Sequence, residues 1–197
     1  MQLRGTRFGA HLPSIYDQVG QLHSLAERIH NAADGLPLSD SVYSGVSNLL
    51  DDLADSTRDV AGLVSHLAIA AAFTARTAPR RRGPEADTTR HTVAQLTHSV
   101  GTLGIALADL GVAVAHAGQL HEFAAAPRSM QRNQDIESTR ALLYTRIDSA
   151  RARLNASGAR LHQAADRLTP VPALPGSLRA NAASPVTPPR ASRSRIR

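Results

Sequence analysis

Apolar residues recur at alternating intervals of four and three from Ser14 to Leu168, a spacing that predicts four helices in series. In the first, over 14–34, Ile15, Val19, Leu22, Ala26, Ile29 and Ala33 share one face. Gly35 stands where a left-handed C-terminal residue belongs, and Pro37 follows where a helix cannot continue. The second, over 40–76, is offered N-caps by Ser39, Asp40 and Ser41. It carries Val42, Val46, Leu49, Leu53, Val60, Leu63 and Leu67, with Ser56 the one polar seam position. Residues 77–87 lose the pattern around Pro79-Arg80-Arg81-Arg82-Gly83-Pro84 and read as an exposed, mobile loop. The fourth, over 129–168, places Ile136, Leu143, Ile147, Ala150, Leu154, Leu161, Ala164 and Leu168 on one seam, interrupted by Arg140 and Ser157.

The third helix, over 88–126 with Thr88 or Thr89 as its cap and Pro127 as its stop, organises the rest. Leu96, Val100, Leu103, Leu107, Leu110 and Val114 form a ridge of bulk. One residue further round runs a second series, Thr97, Gly101, Gly104, Ala108, Gly111, Ala115 and Gly118, which forms a groove of small residues. Glycine inside a helix costs about 0.5–1 kcal/mol relative to alanine. Several in register are expected where another helix packs closely, so this helix is read as the buried centre.

The expected architecture is all-α: an antiparallel bundle of one shorter and three long helices, with coiled-coil-like seams. The short first helix should lie against residues near Val42 to Arg58, beside the end of the third helix and the start of the fourth. The opposite end is then left three-stranded. Residues 1–13 form an N-terminal extension. From Thr169 onward the prolines at 170, 172, 175, 185, 188 and 189 exclude a long helix, so 169–197 reads as a disordered tail.

Composition supports this picture and narrows the chemistry. Aromatics are 3% and tryptophan is absent, so a core of Leu, Val, Ile and Ala favours helix on helix. With no cysteine, disulfides, thiol catalysis and cysteine-held metals are excluded. The formal charge of +6 comes from arginine alone, and the tail holds five arginines (Arg179, Arg190, Arg193, Arg195, Arg197) and no acid. Residues 1–13 contain Arg4 and Arg7 without an apolar core behind them, so secretion by a signal peptide is not expected and the location is taken as cytoplasmic. Val100 to Gly118 is nearly long enough to span a membrane. Asp109 at its centre costs about 2.5–3.5 kcal/mol on an insertion scale, however, and integral insertion is the less favoured reading.

Nine histidines are the main reactive inventory. Glu27 and His30 have the Glu-x-x-His spacing of di-iron bundles, but none of Glu85, Glu122 and Glu137 repeats it. His23 and His30 share a face, as do His91 and His98, two turns apart and too far for one metal. No phosphate loop, nucleotide fingerprint or hydrolase elbow occurs. Catalytic, cofactor and metal residues are therefore expected to be none.

The leading expectation is a non-catalytic interaction module, an adaptor or a self-associating protein, whose partner is a protein or a second copy. The second is a nucleic-acid accessory protein that contacts phosphate non-specifically through Arg80, Arg81, Arg82, Arg190, Arg193, Arg195 and Arg197. The third is membrane association through the third helix.

The second reading has a direct check. If the tail binds duplex DNA, its five arginines contribute up to about −4.5 to the slope of log affinity against log salt. Binding of a mixed-sequence duplex across a salt series, for the full chain and for one ending at Leu168, should then show a flatter slope after truncation. Identical slopes reject the tail as the contact.

Overall fold

Leucine and alanine at three- and four-residue intervals produce four α-helices in the computed structural model, which describes residues 15–38, 46–78, 83–125, 127 and 129–169. They are α1 (Ile15–Asp34), α2 (Val46–Thr77), α3 (Pro84–Ala125) and α4 (Met130–Leu168), and the fold is all-α. The N-terminal extension, Arg80 to Arg82 and the tail from Pro170 lie outside the described residues.

The helix ends show which local signals act. Gly35 lies outside the left-handed region expected of it and continues the last turn of α1, its N–H donating to the Asn31 carbonyl at 3.0 Å. Pro37, two residues on, supplies the stop. The third helix begins at Pro84, earlier than Thr88 or Thr89. Proline suits a first helical position because its missing N–H has no partner to lose there, and Glu85 and Asp87 complement the positive end of the helix. The segment from 84 to 87 is therefore helix, where a loop was expected. Thr88 lies inside it, while the Thr89 and Thr92 hydroxyls donate back to the carbonyls of Glu85 at 2.8 Å and Thr88 at 3.1 Å. At the start of α4, Ser129 adopts an extended conformation and its hydroxyl accepts the Arg132 N–H at 3.1 Å, an N-cap.

The buried side chains of all four helices join in one apolar cluster, with Ile29, Leu53, Leu67, Leu103, Leu110, Leu143, Leu154 and Leu161 at its centre. α3 packs on both α2 and α4, whereas α1 packs chiefly on α4 and only lightly on α2. The end of α1 lies beside Asp52, Asp55 and Ser56 of α2, within the stretch expected, but its neighbours on α4 and α3 differ from the expected ones. The described contacts of α1 reach the second half of α4 and the first part of α3: His23 meets His162, Arg151 donates to the carbonyls of Leu36 and Pro37 at 3.1 and 2.8 Å, and Gln18 meets Thr92. Arg28 meets His66 of α2. The His30 ring seats against Gly158 of α4, where a Cβ would come within 2.7 Å of it and make the ring shift.

Asp109 sets how α3 faces α4. It is 6% exposed, and its carboxylate accepts from Arg146 at 3.1 Å, Ser149 at 2.9 Å and Arg153 at 3.0 Å, all on α4. Burial alone raises the pKa of such a carboxyl. Here the hydrogen bonds from Ser149, Arg153 and Arg146, with the positive charge of Arg153, outweigh burial and hold it below the ordinary aspartate value. A carboxylate depressed in the folded state contributes stability that is complete above its unfolded pKa and is lost as pH falls through the folded one.

Replacing Asp109 with alanine should cost about 1.5–3 kcal/mol, the range for hydrogen bonds to charged groups, in urea denaturation at neutral pH. The wild type should also lose more stability than Asp109→Asn between pH 5 and pH 2, because asparagine has no proton to take up. Equal acid sensitivity of the two chains would show that this carboxylate does not carry the effect.

Candidate functional site

The small-residue groove of α3 does not lie between helices of this chain. Gly101, Gly104, Ala108, Gly111 and Ala115 are exposed and Gly118 is half-buried; a Cβ built on any of these four glycines finds nothing within 4 Å. The expectation of an intramolecular neighbour is thus corrected. The leucine ridge has small residues on both flanks, and the flank that turns inward is the other one, with Ser99, Ala106, Ala113 and Ala117 buried. Asp109 belongs to that inner flank, and its three partners on α4 pull that side of the helix into the bundle.

The outer face is consequently smooth, uncharged and apolar. Between Arg90 and Glu122 the one charged residue is Asp109, which is turned toward α4. Ile105 at 51% and Val112 at 40% exposure stand one helical repeat apart beside the groove. From Gly101 to Gly118 the face runs for about 25 Å at 1.5 Å per residue. Its three-and-four spacing matches a partner helix that crosses at about 20°, and residues without bulk let the two backbones approach.

Length and composition alone would also let α3, and the Asn48–Thr77 part of α2, cross a membrane, although a third of the most apolar window of each is buried in the bundle. The sequence reading singled out only the third helix. α2 adds exposed Ile69 and Phe73, and α4 adds exposed Leu142. Three of the nine histidines, His23, His30 and His162, meet between α1 and α4. Among the described residues no group of three or more His, Asp and Glu side chains is placed to hold a metal ion. His98 meets Arg160 across α3 and α4, and His116 meets Gln119 one turn away. Glu27 and His30 both approach His162 on α4.

The open groove reverses the expected effect of filling it. Gly111→Ala should stabilise the isolated chain by about 0.5–1 kcal/mol through helix propensity, with no neighbour to oppose the methyl group. At concentrations low enough for the chain to be monomeric, Gly111→Leu should melt at or above the wild-type temperature; a loss of about 1–3 kcal/mol there, the usual cost of overpacking, would mean that the face is occupied within the chain. No family model, curated protein or solved structure matches the chain.

Proposed function

We propose that the chain is a non-catalytic helical interaction module that packs another helix, from a second copy or a protein partner, onto the outer face of α3. The observation that carries this reading is the exposure of Gly101, Gly104, Gly111 and their neighbours beside Ile105 and Val112. Glycines that lower helix propensity and touch nothing within the chain are a cost to the monomer that close packing in a complex would offset.

The frame that presents the face is an antiparallel bundle in this proposal. Paired contacts support it, because residue numbers rise along α3 from His98 to Asp109 as their partners on α4 fall from Arg160 to Arg153, Ser149 and Arg146. Numbers likewise rise from His23 to Leu36 as their partners fall from His162 to Arg151. α1 then covers the half of α4 beyond Arg151, and the other half is left with fewer neighbours and with Leu142 exposed.

Membrane insertion through α3 is the weaker reading, because α3 is tied along its length to α4. That helix carries Arg146, Asp148, Arg151 and Arg153 within two turns. Separating the two would strand Asp109 in hydrocarbon without its partners.

Sedimentation of the full chain over a range of concentrations tests the proposal. The wild type should show a heavier, concentration-dependent species, and Gly104→Leu and Gly111→Leu should lose it while keeping their helical signal. Association that survives both substitutions would place the interface elsewhere.

A further inference from the structure

We infer that the hollow between α3 and α4 beside Arg160 and Arg167 is an anion site that takes a terminal phosphoryl group, the end of a phosphate ester or of a diphosphate. The hollow measures about 390 Å³ and is lined by Gln95 and His98 of α3 and by Arg160, Gln163, Ala164 and Arg167 of α4. That volume lies within the range of about 300–1,000 Å³ for small-molecule sites.

The order of residues along the two helices makes the hollow. Positions 160, 163, 164 and 167 share one face of α4, as 95 and 98 share one face of α3. Ala164 is buried and ends at its methyl group, so the floor between the two arginines is low. His98, Arg160, Gln163 and Arg167 are exposed and form the rim. The hollow therefore opens to solvent, and a phosphoryl end can enter it while the rest of the ligand stays outside.

Charge sets the class of ligand. Elsewhere on α4, Arg140 meets Glu137, Arg146 and Arg153 meet Asp109, and Arg151 meets Asp148. Among the described residues neither Arg160 nor Arg167 has a carboxylate at ion-pair distance; Arg160 donates instead to Nε2 of His98, which holds its guanidinium on the α3 side of the hollow. The acids nearest in sequence are engaged elsewhere. Asp166 approaches His23 on α1 at 3.9 Å, and Asp109 accepts from Arg146, Ser149 and Arg153. Outside the described residues the sequence holds a single acidic side chain, Asp40. Two permanent positive charges thus share one hollow without a lining carboxylate.

The donors suit oxygen anions. Each guanidinium presents a planar fork of N–H groups that matches two oxygens of a phosphate, and the amides of Gln95 and Gln163 add further N–H donors. Arg160 and Arg167 stand two turns apart on α4, about 10.5 Å along its axis at 1.5 Å per residue. Their long side chains can converge on one phosphoryl group or hold the two ends of a diphosphate.

Inorganic pyrophosphate is the probe, titrated into the isotope-labelled full chain at constant ionic strength. The backbone amides of residues 95–99 and 160–168 should shift and saturate together. Arg160→Gln with Arg167→Gln should raise the dissociation constant about tenfold or more, while the helical signal stays as it was because both side chains are exposed. Removing two charges elsewhere, by Arg58→Gln with Arg90→Gln, should leave the constant within about twofold, since each of those arginines is paired within its own helix. Phosphatidylcholine vesicles with and without phosphatidic acid separate two sources of the group. Sedimentation with the phosphatidic acid vesicles that the Arg160, Arg167 double substitution abolishes identifies a lipid headgroup, and sedimentation that it leaves unchanged, or none, identifies a soluble ester. Shifts confined to other residues, failure to saturate, an unchanged constant in the Arg160, Arg167 double variant, or an equal loss in the Arg58, Arg90 control would overturn the site.

Discussion

A buried carboxylate that three donors from one neighbouring helix satisfy is the constraint on which the arrangement of α3 rests. An unpaired charge at the position of Asp109 would cost several kcal/mol, so α3 cannot turn about its own axis or slide along α4 without losing Arg146, Ser149 and Arg153 together. Apolar packing by itself is less selective. A leucine ridge with small residues on both sides could bury either flank with similar gain, since leucine burial has no direction. The ion pairs supply the direction, and the leucines supply most of the favourable free energy.

That division explains how far the chain could be read from its residues. The four helices and their leading core positions, such as Ile29, Leu53, Leu103 and Leu154, follow from local periodicity, because a helix that buries one face repeats its apolar residues whatever it packs against. The inner flank of α3 does not follow from periodicity, since both flanks carry the same period. The missing signal was chemical: one aspartate in a long uncharged stretch, and two arginines seven residues apart on the next helix, Arg146 and Arg153.

The same distinction between local and long-range information separates the remaining differences. Pro84 looks like a loop residue when read with the arginine triplet before it, yet its fixed φ and absent N–H suit a helix start once Glu85 and Asp87 follow. His23 and His30 could be placed on one face of α1 from their spacing. His162, well over a hundred residues later, could not be assigned to them by any local rule, nor could Gly158 be recognised as the notch that admits His30. Connectivity alone gave the right stretch of α2 for the end of α1, beside Asp52 and Asp55, and the wrong half of α4, where Arg151 and His162 meet it.

The two flanks of α3 also separate two kinds of selective pressure. A change at Ala106 or Ala113 alters the interior and is judged first by whether the chain folds. A Cβ added at Gly104 or Gly111 meets no neighbouring atom, and Ala108 beside them is exposed, so changes there leave the interior as it was. Substitutions can therefore accumulate along the outer side at little expense to the scaffold. A lineage of such chains could diversify what its longest helix presents while inheriting the same interior unaltered.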